Sequence, residues 1–154
     1  MRRFLAGGDA IVGEPAPDFS LPIAAGDDGA SRVRLSDLRG RTVVLEFWAT
    51  WCPPCRGQMP EMARLRRETR SRPVDVIGIN VEPGLAFGVI ADRARAWRGD
   101  YLHLRDDGDV ALAYRVESLP TVVLIDPDGI VAAVHRGPAS IRELRALVAS
   151  AAER

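Results

Sequence analysis

The run from Thr42 to Trp48 (Thr-Val-Val-Leu-Glu-Phe-Trp) is almost wholly apolar and rich in β-branched and aromatic residues, and it leads into Cys52-Pro53-Pro54-Cys55. An apolar run of that length reads as a central strand covered on both faces, so the fold must supply layers above and below it. Beyond the cysteines the period changes. Met59, Met62 and Leu65 recur at three-residue steps, which predicts a helix from Pro53 to about Arg70, bent at Pro60. A cysteine pair is thereby placed where a buried strand turns into a helix.

The remaining pattern extends that frame. Phe19 to Ile23 and Val33 to Leu35 read as a hairpin around the turn-rich Gly26-Asp27-Asp28-Gly29, and Ser36 as the cap of a short turn through Leu38. Val74 to Val81 predicts a second buried strand, Leu85 to Trp97 a helix, Tyr101 to Leu104 a short strand and Val110 to Arg115 a helical turn or two. Val122 to Ile125 and Ile130 to His135 flank the turn Asp126-Pro127-Asp128-Gly129, and Ile141 to Ala152 closes the chain as an amphipathic helix. Strands interleaved with helices and followed by an antiparallel pair indicate an α/β fold with a central mixed sheet flanked by helices. At 154 residues the chain suits one domain, able to bury roughly 70% of its unfolded surface. We assign that domain to 13–154 and a flexible N-terminus to 1–12.

Charge and composition exclude several activities. The 21 basic residues balance 21 acidic ones, which argues against a nucleic-acid partner. All the basic residues are arginine, so Schiff-base chemistry and a phosphate-loop lysine are excluded. The arginines at 64, 66, 67, 70 and 72 read as a solvated face near the negative end of a helix dipole. No apolar run reaches the roughly 18 residues of a transmembrane segment, and Arg2-Arg3-Phe4-Leu5 lacks the apolar stretch of an export signal. The chain as written therefore reads as cytoplasmic, with an extracytoplasmic or periplasmic setting as the alternative if its N-terminus has been trimmed.

The cysteine pair carries the chemistry. A helix start offers unpaired amide donors and a partial positive charge, both of which stabilise a thiolate. A thiol of pKa about 8.5 is only about 3% ionised at pH 7, whereas one lowered to about 7 is half ionised. Residues three apart in a helical turn also meet the Cα separation a disulfide accepts, so the pair can open and close. Cys52, at the turn, is the expected attacking thiol with its sulfur open to solvent; Cys55, deeper, is the expected resolving thiol. Pro53 and Pro54 stiffen the loop. Zinc would need four ligands, and His103 and His135 stand far from the pair, so no metal is expected. Haem attachment would need histidine where Arg56 stands. Asp106, Asp107 and Asp109 around Gly108 read as a turn, and Met59 and Met62 as core.

With Phe47-Trp48-Ala49-Thr50-Trp51-Cys52-Pro53-Pro54-Cys55 and Met59-Pro60 in view, the chain resembles the thioredoxin superfamily, closest to the TlpA/ResA branch of thiol-disulfide oxidoreductases within the AhpC-TSA-like redoxins. Further matches are Ala16-Pro17-Asp18-Phe19, Leu35-Ser36-Asp37-Leu38-Arg39-Gly40, Leu119-Pro120-Thr121 and Leu124-Ile125-Asp126-Pro127-Asp128-Gly129. The resemblance implies a thioredoxin-like fold with an N-terminal β-hairpin and a central insertion at about Glu82 to Tyr101. It implies a cis Pro120 whose neighbours Leu119 and Thr121, with Trp51, Pro53 and Pro54, dock an extended substrate, and Gly137 near the same groove. Two departures stand out. Gln58 occupies a position where the branch often has glutamate, and Glu46 one where it often has asparagine, matching instead the buried acid of ordinary thioredoxins. We expect Glu46 to accept the proton of Cys55 through a water during resolution, its pKa raised by burial; the competing reading is a salt-bridged strand residue.

The function that follows is disulfide exchange with protein thiols, reduction of the client being the favoured direction, with an upstream electron donor, no diffusible cofactor and a monomeric chain. A thiol peroxidase of the redoxin group and a non-catalytic thioredoxin-fold binding module are the alternatives. Ala49, three before Cys52, weakens the first.

Overall fold

The computed structural model describes residues 11–26 and 31–152. In chain order its elements are β1 (Ser20–Ala25), β2 (Arg32–Arg34), a 3-10 turn (Leu35–Leu38), β3 (Thr42–Trp48), α1 (Pro53–Glu68), β4 (Val74–Asn80), α2 (Phe87–Ala96), β5 (Leu102–Arg105), α3 (Val110–Ala113), β6 (Thr121–Ile125), β7 (Val131–Arg136) and α4 (Ile141–Ala152).

The strands form one sheet in the order β2-β1-β5-β4-β3-β6-β7. β3, β4 and β5 are parallel, which requires crossovers, and α1 and α2 provide them. β6 returns antiparallel to β3 and β7 antiparallel to β6. The expected central strand is therefore central, and every residue of β3 is buried. Alternation along it sorts the core into two layers. Val44 and Trp48 pack with Cys55, Met59, Met62 and Leu65 of α1 and Leu144 and Val148 of α4. Val43, Leu45 and Phe47 pack on the other side with Phe19, Leu21, Val110 and Tyr114. Glu46, between Val44 and Trp48 on the even face, is turned toward α1.

The N-terminal hairpin forms with Leu21 opposite Val33, and β1 also pairs with β5 through Ile23 and Leu104, so the hairpin extends the sheet. The turn residues 27–30 lie outside the described residues, as do 1–10 of the expected flexible tail. Ile11 is only 3% exposed and the Gly13 amide bonds to Val131 O, so the folded body begins ahead of Gly13. Ser36 is not a cap: the turn starts one residue earlier, and Asp18 Oδ1 takes the Ser36 amide at 2.9 Å. Asp106 folds back on the turn that leads into α3, accepting from Val110 N at 3.0 Å and Ala111 N at 2.8 Å. α1 runs through Pro60 and stops two residues before Arg70, where the Thr69 hydroxyl returns to Leu65 O. The segment expected as an insertion supplies α2 and leads into β5 beside β4.

Candidate active site

β3 ends at Trp48, and a short loop carries the chain to the head of α1, where Cys52 is the N-cap residue and Pro53 and Pro54 occupy the first helical positions. Proline suits those positions because their amides have no helical acceptor. Cys52 and Cys55 form a disulfide with Cα atoms 5.3 Å apart. The Cys55 amide donates to Cys52 Sγ at 3.2 Å, so one backbone donor points at the outer sulfur. Cys52 is 3% exposed and Cys55 fully buried, the expected order, but Cys52 is far less open than its place in a turn implies. Trp51 takes the exposure instead, at 68%.

The Leu119–Pro120 peptide is cis. Thr121 pairs with Phe47 at the far end of β3, which sets Pro120 beside the loop that carries the cysteines. Leu119 packs on the cluster that includes both cysteines, and Pro120 O accepts from the Gly137 amide at 2.9 Å. Thr121, expected among the docking residues, is 1% exposed and its hydroxyl is spent on Ser118 O, so only its backbone lies along this edge.

Gln58 has a structural use that its sequence position did not disclose. It is buried, its Nε2 donates to Ala139 O at 3.0 Å and its Oε1 accepts from Ala139 N at 2.7 Å. One neutral amide thus satisfies both backbone groups of Ala139 and ties α1 to the loop ahead of α4.

Glu46 is fully buried and takes a hydrogen bond of 2.5 Å from Tyr101 Oη. No ion pair involves it among the described residues, so the salt-bridge reading does not hold; its partner is a phenol. Desolvation pushes its pKa up to about 7, the Tyr101 hydrogen bond pulling the other way. The same burial and the adjoining carboxylate drive Tyr101 well above its ordinary value. His103 lies in the same buried layer, its ring centroid 4.3 Å from that of Tyr101 and 5.4 Å from that of Trp48. Its Nε2 donates to Gly99 O, and burial lowers its pKa to about 4, which keeps the ring neutral. Gly78 of β4, opposite Glu46 in β3 and His103 in β5, makes room: a Cβ there would collide with the His103 ring and come within 3.2 Å of Trp48 Nε1. Glu46 Oε2, Trp48 Nε1 and His103 Nδ1 have no protein hydrogen-bond partner in this layer. Tyr101 and His103 escaped the sequence reading because a strand pattern hides them; the readable signal was Gly78 and Gly99, two gaps that bulky neighbours must fill.

An exchangeable disulfide at the head of the helix that follows the central strand, with a cis-proline beside it, makes this a thioredoxin-fold protein of the thiol-disulfide oxidoreductase class. The chain belongs to the AhpC/TSA family, whose sequence pattern matches residues 12–134. It is 36% identical over 134 residues to the thiol-disulfide oxidoreductase ResA of Bacillus subtilis (strain 168), covering 86% of this chain and 72% of that protein. It is 33% identical to the thiol:disulfide interchange protein DsbE of Pseudomonas aeruginosa, covering 79% of this chain and 64% of that one. A thiol:disulfide interchange protein of the thioredoxin family from Chlorobium tepidum TLS superposes with a TM-score of 0.75 at 26% identity, covering 89% of this chain and 94% of that one. The chain is an oxidoreductase that acts on protein thiols and disulfides. No helix among its described residues is long and apolar enough to cross a membrane.

Proposed function

We propose that the protein reduces disulfides in extended polypeptides, with Cys52 attacking, Cys55 resolving and Glu46 taking the proton. The Cys52 thiolate attacks one sulfur of a client disulfide, forming a mixed disulfide and releasing the other client sulfur as a thiolate. Cys55 passes its proton to Glu46 through a water and attacks Cys52 Sγ; the internal disulfide closes and the second client thiolate leaves. An upstream dithiol donor then reopens the pair. Trp51, Pro53, Pro54 and the Leu119–Thr121 backbone form the docking edge. The acting form in this reading is a monomer.

The observation that carries the direction is the single amide, that of Cys55, aimed at Cys52 Sγ. Pro53 and Pro54 have no N–H, so the first turn of α1 offers that sulfur fewer donors than a turn without prolines, and the thiolate is less stabilised. A pair whose reduced form gains less is the more reducing one. The exported or membrane-tethered setting of the branch it resembles supports an extracytoplasmic site of action.

The test is the reduction potential of the pair, read from tryptophan fluorescence in glutathione or dithiothreitol buffers. A value near about −270 mV or lower is expected; one near about −120 mV would make the protein an oxidant.

A further inference from the structure

Thr50, two residues ahead of Cys52, is held at three atoms by side chains from the loop after β4 and from α2. Its amide donates to Glu82 Oε1 at 2.8 Å and its hydroxyl to Glu82 Oε2 at 2.9 Å. Its carbonyl accepts from Arg93 Nη1 of α2 at 2.6 Å. Both grips are themselves fixed. The fully buried Asn80 donates from Nδ2 to Glu82 Oε1 at 2.9 Å and accepts the Glu82 amide at 3.0 Å. The Arg93 guanidinium lies 5.4 Å from the Trp97 ring, which packs against Trp48. The neighbouring backbone is also tied down, Val81 N to Trp48 O at 2.9 Å and Cys52 N to Ala49 O at 3.2 Å. Neither Glu82 nor Arg93 touches a sulfur, and no motif around the cysteines singles them out.

We propose that Glu82 and Arg93 are positioning residues that clamp Thr50, so that the 82–101 segment sets how readily the Cys52–Cys55 disulfide closes. Closure is an intramolecular reaction, and its equilibrium depends on how often the two thiols are within reach. Cys55 is fixed in a packed helix; Cys52 is fixed only as far as its loop is. With the clamp in place, the dithiol already holds Cys52 near Cys55. Without it, the dithiol gains freedom that the disulfide form cannot share, because the S–S bond still restrains it. The equilibrium shifts toward the dithiol and the pair becomes more oxidising.

The inference rests on the reading that this pair cycles, and the experiment separates the two. Purified protein is equilibrated with glutathione: two cysteine thiols and one glutathione disulfide give the internal disulfide and two glutathione thiols, both protons ending on glutathione. Glu82→Ala should lower the equilibrium constant for closure about tenfold, the scale of one or two hydrogen bonds. Glu82→Gln keeps an acceptor for the Thr50 amide and should stay within about threefold of the parent. Thr50→Val, which loses only the hydroxyl, should move the same way by about threefold and serves as the readout should Glu82→Ala fail to fold. Circular dichroism in both redox states separates loss of fold from loss of positioning. Variants whose titrations overlay that of the parent overturn the clamp; a parent with no reversible transition overturns the cycling pair itself.

Discussion

Replacing Glu46 with glutamine turns the buried acid into a permanent copy of its protonated form, and the structure gives both the sign and the size of the consequence. The amide keeps an oxygen for the Tyr101 hydroxyl. What it loses is the capacity to ionise. In the folded protein Glu46 is raised from 4.5 to about 7, so the fold prefers the neutral acid. A raised carboxyl contributes stability that is fully present below its unfolded value and is lost as pH climbs through the folded value. Between pH 4.5 and 7 the parent therefore loses stability that Glu46→Gln retains, and the gap at pH 8 is about 3 kcal/mol in favour of the variant. His103 titrates with the opposite sign, its lowered value costing stability as pH falls from about 6.5 toward 4, but it is common to both proteins and cancels in the difference. The assay is urea unfolding of the oxidised protein and of Glu46→Gln at pH 4.5 and pH 8. Near-equal midpoints at the lower pH and a clear excess for the variant at the higher are expected, with a melting-temperature gap at pH 8 of roughly 6–12 °C. A variant less stable than the parent at pH 8, or a difference that does not change with pH, refutes the reasoning.

Two further substitutions test the buried layer and its seam. Gln58→Glu would set a carboxylate oxygen where Nε2 now meets Ala139 O at 3.0 Å; the folded state then favours the protonated acid, so the variant should match the parent near pH 4 and lose about 2 kcal/mol by pH 8. Midpoints that fall equally at both pH values would show that the side-chain amide acts only as filling. Gly78→Ala should cost about 1–3 kcal/mol, because the new Cβ would come within 2.8 Å of His103 Cε1 in a layer where the His103 and Trp48 rings are fully buried, and an unchanged urea midpoint would contradict that packing.

How much of this was legible in the chain follows from how local each signal is. β3 and α4 fall within the predicted residues because one depends on an unbroken apolar run and the other on a clean helical period, both readable without knowing neighbours. The cysteine pair was legible for the same reason. The roles of Gln58, Tyr101 and Glu82 were not, since each depends on a partner far along the chain: Ala139, Glu46 and Thr50. Ser36 failed as a cap because the turn already opens at Leu35, which puts Ser36 inside it, where Asp18 from the segment ahead of β1 takes its amide. Glu46 sits between: the resemblance to thioredoxins implied a buried acid there, but the phenol that replaces an ion-pair partner could be found only once β5 had been set beside β4.

In the proposed cycle Cys52 attacks and Cys55 resolves. The direct measurement is trapping with a client peptide that carries a disulfide, followed by mass mapping of the adduct. Cys55→Ser should accumulate a mixed disulfide on Cys52, and Cys52→Ser should accumulate little. An adduct that builds up on Cys55 in Cys52→Ser, or on neither sulfur, would overturn these roles.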